Sequence, residues 1–70
     1  MERVLLHDAL EFLRRRTGFV FEQRTAQRWA EAGRVTINGK EIELRTTQVM
    51  RRWWIERASL EKLIAALSSA

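Results

Sequence analysis

Residues 24–44 read RTAQRWAEAGRVTINGKEIEL and change hydrophobic period at Gly33. Before this glycine, apolar residues recur at helical spacing, at Ala26, Trp29 and Ala30. After it, apolar and polar residues alternate as in a half-exposed strand, and the central Asn-Gly is a strong hairpin signal because both residues tolerate positive φ. Three elements are predicted here: a helix over residues 22–32 and strands over residues 34–37 and 40–44.

The two-residue loop also fixes the register of the predicted hairpin. It places Val35 opposite Ile42 and turns the apolar side chains of both strands toward one face. Arg34 then lies opposite Glu43 on the other face. The alternation therefore predicts which face of the hairpin is buried.

A first helix is predicted upstream of this stretch. Apolar residues recur three and four positions apart from Leu6 to Leu13, which is the spacing of an amphipathic helix. Three arginines follow, and Gly18 then breaks the pattern, so the helix is predicted over residues 5–16. The short apolar segment at 19–21 is interpreted as a turn that fills the space between the two helices.

Downstream of the hairpin, residues 45–48 are predicted as a second turn. Residues 49–55 are rich in β-forming side chains and predict a third strand. Ser59 is a favourable helix cap, and the apolar stripe after it predicts a last helix over residues 59–67. The sequence therefore predicts a single α+β domain over residues 1–70, with three helices and a two- or three-stranded antiparallel sheet.

The inventory of reactive side chains argues against catalysis. The 70 residues include one His, one Asp, no Cys and no Tyr. These leave neither a nucleophile with its base nor a cluster of metal ligands, so we expect no enzymatic activity, metal, cofactor or small-molecule ligand. No apolar run approaches the ~18 residues of a membrane span, and the N-terminus does not look like a signal peptide. We therefore expect a cytoplasmic protein without a membrane partner.

Charge points to a polyanionic partner. Thirteen Lys and Arg against nine Asp and Glu give a net charge of +4, and eleven of the cations are Arg. Residues 24–57 contain eight of these cations and four carboxylates, so this stretch accounts for the whole excess. Arginine suits bidentate contacts with phosphate and guanine. The distribution therefore favours nucleic acid as the partner.

Two helices joined by a short turn and followed by a hairpin are the parts of a winged helix-turn-helix. In that fold the second helix enters the major groove, and the hairpin lies along the backbone or in a minor groove. Arg24 and Arg28 are four residues apart and share a face with Gln27, which suits contacts with base edges. Thr25 is placed to donate to a phosphate. The simpler alternative is that these residues form only the solvated face of an amphipathic helix.

A second group of candidates decorates the predicted sheet and its loops. Five of its seven members are cations, which neutralise phosphates and make binding depend on salt. The candidates are Arg34, Asn38, Lys40, Arg45, Thr46, Arg51 and Arg52.

The tryptophans are assigned structural roles. Trp29 lies on the inner stripe of its helix and is predicted to be core. Trp53 and Trp54 are adjacent and must point to opposite faces of a strand, so one of them is predicted to be core. His7 is interpreted as a surface or capping residue.

The stretch from Thr25 to Val35 resembles the pattern T-x-x-R-W-x-x-x-G-x-[LIV], the second-helix signature of the MerR-like winged-helix group that includes phage and plasmid excisionases. Residues 52–61 are similar to r-x-W-x-I-x-r-x-[DS]-L-E, the strand and polar cap that close the same domain. The resemblance implies a non-catalytic bacterial or phage protein, an excisionase or recombination directionality factor, that binds repeated attachment sites in double-stranded DNA. It also implies that the protein bends the DNA and contacts an integrase and further copies of itself. A MerR-like transcription regulator of the same fold is the alternative.

The chain departs from that pattern in two places. The turn between the helices is longer than usual, and so is the hairpin region from residue 34 to residue 52. Two positions are therefore open for the tip of the wing, Asn38-Gly39 and Thr46-Thr47.

A second resemblance competes with the first. Residues 33–40 are similar to the G-x-V-x-V-N-G core of the S4 RNA-binding domain, in which two helices precede a sheet and a basic face meets structured RNA. The Gly-Asp turn usual soon after the position of Val49 is replaced here by residues 50–54. A protein-interaction module is the third class that the sequence leaves open.

Overall fold

A computed structural model describes residues 2–68. In chain order the elements are β1 Arg3–Leu5, α1 Leu6–Thr17, α2 Gln23–Ala32, β2 Arg34–Ile37, β3 Lys40–Glu43, β4 Thr46–Val49, β5 Arg52–Glu56 and α3 Arg57–Ser68. One antiparallel sheet has the strand order β1-β5-β4, and β2 and β3 form a second, two-stranded antiparallel sheet. The predicted α+β class with three helices is confirmed, whereas the predicted single sheet of two or three strands is wrong, because five strands of the described residues form two sheets. Over these residues, no helix has the length and apolar character needed to cross a membrane.

Glycine ends each of the first two helices, as predicted. Gly18 follows α1 with φ 81°, and its N–H donates to the Arg14 carbonyl oxygen at 2.9 Å. Gly33 follows α2 with φ 73°, and its N–H donates to the Trp29 carbonyl oxygen at 2.8 Å. Residues with a Cβ rarely adopt this left-handed conformation, so the two glycines set where the helices stop.

The hairpin of β2 and β3 has the predicted turn and register. Val35 pairs with Ile42, both side chains are buried, and the other predicted pairs are also present. Asn38 and Gly39 have φ of 51° and 77°. Positive φ at both turn residues matches the twist of the strands that they join. β3 ends at Glu43, one residue before the predicted end.

The N-terminal strand β1 is absent from the sequence-based prediction, which begins the first helix at Leu5. In the structure Leu5 ends β1 and α1 begins at Leu6. β1 pairs with β5, and Val4 lies opposite Ile55. Three residues are too few to show an alternating pattern, and the partner strand is near the other end of the chain. Local sequence therefore carries no signal for β1.

The predicted turn at 45–48 is wrong, and the predicted strand at 49–55 is confirmed only over residues 52–55. The chain instead forms β4 and β5, which Met50 and Arg51 join as a two-residue turn. The candidate tip at Thr46-Thr47 therefore lies inside β4. Met50 and Arg51 have φ of 51° and 66°. Neither is a residue type that favours positive φ, so no turn signal marks them in the sequence.

The last helix begins at Arg57, two residues before its predicted start, and Ser59 is not its cap. Ser59 is buried, and its Oγ accepts a hydrogen bond from the backbone N–H of Arg45 at 2.9 Å. The hydroxyl that suits a helix cap is thus used to bind the segment between β3 and β4. This contact holds α3 against the sheet.

The core lies between α1, α3 and the two sheets. Aliphatic side chains dominate it, and Leu13, Leu60 and Leu63 are the largest fully buried ones. Burying each such side chain contributes about 1.5–3 kcal/mol relative to leaving it exposed. The core cluster comprises Ala9, Leu13, Val35, Ile42, Leu44, Ile55, Leu60, Leu63, Ile64 and Leu67.

The aromatic residues lie at the margin of this core. Trp29 is half-buried and packs against it, with the Phe21 ring edge-on at a centroid distance of 4.8 Å. Phe19 remains exposed, so the segment 19–21 fills the space between the helices only in part. Trp53 and Trp54 are both half-buried and neither belongs to the core cluster. The prediction that one of them is core is therefore wrong.

Candidate nucleic-acid interface

α2 presents a polar face that the rest of the fold leaves uncovered. Ala26 and Ala30 are buried on its inner side, whereas Arg24, Gln27 and Arg28 are exposed. The Gln27 side-chain N–H donates to the Glu31 carboxylate at 3.3 Å, one helical turn further on. Thr25 is also exposed. The four α2 candidates therefore lie where a partner can reach them.

A hollow of about 330 Å³ lies beside this face, between α2, the start of α1 and the turn that joins β4 to β5. We call it the α2 hollow. Gln23 and Gln27 line it on the α2 side, and Arg51 and Arg52 line it on the turn side. The fold thus brings together α2 and a pair of arginines that are distant in sequence. The other lining residues are Leu5, Leu6, His7 and Trp53.

The site residues predicted from the sequence do not include three polar or aromatic residues of the hollow, which are His7, Gln23 and Trp53. His7 lies there because β1 leads directly into α1 beside β5. Trp53 lies there because it shares a strand face with Ile55 but stands beyond the core, toward the turn. Both placements depend on pairing between strands from opposite ends of the chain. Only the position of Gln23 could have been predicted from the sequence, because it lies four residues before Gln27 and therefore on the same face of α2.

Ion pairs divide the predicted cations into two groups. Arg34 lies 3.7 Å from the Glu41 carboxylate, and Arg45 lies 3.7 Å from Glu43 and 3.9 Å from Glu56. For the other group, no carboxylate of residues 2–68 lies within ion-pair distance. That group comprises the predicted cations Arg24, Arg28, Lys40, Arg51 and Arg52. Four of these five lie on α2 or beside the hollow, so the predicted cations without a carboxylate partner are concentrated on this side of the molecule.

The hairpin of β2 and β3 lies beside a different surface. Its tip, with Asn38 and Lys40, lines a groove against Lys62 and Ala65 of α3. This groove and the α2 hollow share no lining residue. The structure therefore does not bring Asn38 and Lys40 together with the α2 candidates.

The arginines at the end of α1 are partly neutralised. Arg14 donates to the Glu11 carboxylate at 2.7 Å, and Arg15 lies 3.3 Å from the same carboxylate. The hydrogen bond and charge of Arg14 lower the pKa of Glu11, and Glu11 in turn raises the pKa of Arg14. Arg16 lies over the Phe12 ring at 5.3 Å. This cluster therefore has one carboxylate for three arginines, and none of the three lines the α2 hollow.

The chemistry available at the α2 hollow is that of binding. Guanidinium and amide groups suit phosphate oxygens and base edges. Residues 2–68 contain no group of three His, Cys, Asp or Glu side chains placed to hold a metal ion. No family model, curated protein or solved structure matches the chain. The arguments for a function therefore rest on the motifs and on this geometry.

Proposed function

We propose that the protein binds double-stranded DNA as a small winged helix-turn-helix protein without catalytic activity. In this proposal α2 enters the major groove, and the hairpin of β4 and β5 is the wing. The observation that carries it is the α2 hollow, which joins the exposed face of α2 to Arg51 and Arg52. An exposed helix and a basic hairpin side by side form the two contact elements of such a fold.

The α2 candidates and the two arginines beside the hollow have roles in this arrangement. Arg28 and Gln27 project from α2 toward base edges, where arginine suits guanine and glutamine suits adenine. Arg24 lies on the same face, and Thr25 can donate to a phosphate. Arg51 and Arg52 neutralise phosphates beside the groove. Contacts to phosphate position the protein, and contacts to bases select the sequence.

Within this class, an excisionase or recombination directionality factor is our first assignment. Support comes from the resemblance of the α2 and β5–α3 segments to that family, since β5 leads directly into α3 as the second motif requires. An integrase and further copies of the protein on repeated sites are the partners that follow, with the protein acting on DNA in a bacterial cytoplasm. A transcription regulator of the same fold would contact DNA through the same surface. The two assignments therefore differ in the DNA sites that the protein binds, which are attachment sites for an excisionase and promoter sites for a regulator.

One observation favours the S4-like RNA-binding alternative. The residues that resemble the S4 core do form a hairpin immediately after α2, with the turn at Asn38-Gly39. The charges on that hairpin argue against it as a basic surface. It carries Arg34 and Lys40 against Glu41 and Glu43, and Arg34 is ion-paired with Glu41. Of the five predicted cations without a carboxylate partner among residues 2–68, only Lys40 lies on this hairpin, and the other four lie on α2 or on the hairpin of β4 and β5.

Binding to a duplex DNA and to a structured RNA of equal length tests the proposal directly. Fluorescence anisotropy should show salt-dependent binding to the duplex and weaker binding to the RNA. Replacing both Arg24 and Arg28 by Ala should weaken duplex binding strongly. Replacing Arg14, which is exposed on α1 and paired with Glu11, serves as the matched control. Tighter binding to the RNA, unchanged by replacement of Arg24 and Arg28, would contradict the proposal and favour S4-like RNA binding instead.

A further inference from the structure

The turn between β4 and β5 presents an apolar side chain at its tip. Met50 is 90% exposed, and Val49 before it is 43% exposed. Exposing a methionine this fully contributes nothing to folding, because the hydrophobic effect favours its removal from water. The fold therefore does not explain why an apolar residue stands at this position.

The other hairpin of the chain provides an internal comparison. Both hairpins have two-residue turns with positive φ at both positions. Asn38-Gly39 adopts this conformation with little strain, whereas Met50-Arg51 is an unfavourable pair for it. A strained pair that persists on an exposed tip points to a function of its side chains.

Cations lie next to this apolar tip. Arg51 and Arg52 both line the α2 hollow, together with Gln27 of α2. Met50 does not line the hollow, but it forms the two-residue turn with Arg51, so a polyanion that contacts Arg51 lies close to the Met50 side chain. The Met50 side chain is long, unbranched and uncharged. It therefore cannot neutralise a phosphate as the neighbouring arginines can.

We propose that Met50 is a wedge that enters the minor groove of duplex DNA and inserts between two stacked base pairs. This inference rests on the proposed function, because α2 must hold the duplex beside the turn. Minor-groove proteins insert apolar side chains, methionine among them, to unstack a base step and kink the duplex toward the major groove. The flexible thioether chain adapts to a narrow gap. Arg51 and Arg52 then neutralise phosphates on either side of the kinked step.

The wedge adds a source of sequence preference that needs no hydrogen bond to a base. Pyrimidine–purine steps such as TA and CA unstack more easily than other steps. A site with such a step beneath Met50 is therefore bound more tightly than a site with a stiff A-tract there.

Ligase-catalysed cyclisation tests the wedge without knowledge of the target sequence. A random-sequence fragment shorter than the DNA persistence length of about 150 bp closes slowly unless a protein bends it. The natural protein should accelerate closure about tenfold or more, because a fragment that is already kinked needs less further bending to bring its ends together. Met50→Gln, which keeps the length of the side chain but makes it polar, should lose most of this acceleration at equal occupancy. Met50→Leu should retain it.

The matched control is Val20→Gln, at a position that is 77% exposed in the segment between α1 and α2. It should bend DNA like the natural protein. Duplexes with 2-aminopurine at a TA step provide a second readout, because unstacking restores its fluorescence in the natural complex and not in the Met50→Gln complex. If the Gln variant bends and unstacks DNA as well as the natural protein, the wedge is wrong while duplex binding stands. If the natural protein does not bind duplex DNA at all, both the proposed function and the proposed wedge are wrong.

Discussion

The Thr46 hydroxyl donates to the Ala30 carbonyl oxygen at 2.7 Å and so ties the start of β4 to the end of α2. Ala30 lies in the last turn of α2, where carbonyl oxygens lack a partner within the helix. Thr46 supplies that partner and fixes the hairpin of β4 and β5 relative to the exposed face of α2. The sequence places Thr46 among the DNA contacts, whereas the structure gives its hydroxyl this internal role.

Thr46→Val should therefore act on stability. The variant keeps the shape of the side chain but leaves the Ala30 carbonyl without its donor, which costs about 1–3 kcal/mol. Urea denaturation should show this loss, and Thr46→Ser should restore most of the stability. An unchanged stability combined with weaker DNA binding would mean that the hydroxyl contacts a phosphate after all.

Replacing Met50-Arg51 by Asn-Gly should stabilise the protein while weakening DNA binding. Positive φ costs roughly 1–2 kcal/mol for each residue that has an ordinary side chain. Glycine at position 51 removes this cost, asparagine at position 50 removes it in part, and the extra freedom of glycine in the unfolded chain offsets about 0.5–1 kcal/mol. The swap should therefore raise the free energy of unfolding by about 1–2 kcal/mol. The reverse exchange, Asn38→Met with Gly39→Arg, should lower it and leave DNA binding nearly unchanged. A destabilised Asn-Gly variant at residues 50 and 51 would contradict the strain inferred for this turn.

Local residue chemistry explains which elements were predictable. Gly18, Gly33 and Asn38-Gly39 each impose a backbone conformation on their own position, so helix ends and the first hairpin follow from the sequence. The β4–β5 turn has no such residue, because Met50 and Arg51 are held in place by the pairing of the flanking strands. The α2 side of the site was therefore predictable from spacing, and the hairpin side was not.

Arg28→Ala should reduce sequence-specific binding more than non-specific binding. Arg28 is exposed on α2 and has no carboxylate of the described chain within ion-pair distance, so its guanidinium is available for a base. Loss of one bidentate contact should cost about 1–3 kcal/mol on a site selected from random sequences. Titration of the selected site and of scrambled DNA measures the difference. Equal losses on both would make Arg28 a phosphate contact.

The salt dependence of binding should separate the cations that face DNA from those that are paired within the protein. The slope of log affinity against log salt falls by about one for each phosphate contact removed. We expect that change for Arg51→Ala and for Arg52→Ala, because both arginines line the α2 hollow without a carboxylate partner within residues 2–68.

Arg34→Ala and Arg45→Ala are the matched controls for this measurement. Arg34 lies within ion-pair distance of Glu41, and Arg45 lies within ion-pair distance of Glu43. The positive charge of each arginine is therefore partly compensated within the protein. The slope should change by much less than one for either variant. Lys40→Ala at the tip of the other hairpin should behave like the controls, because its groove shares no residue with the α2 hollow. A slope that falls by one for Lys40 and stays constant for Arg51 would place the wing at the β2–β3 hairpin instead.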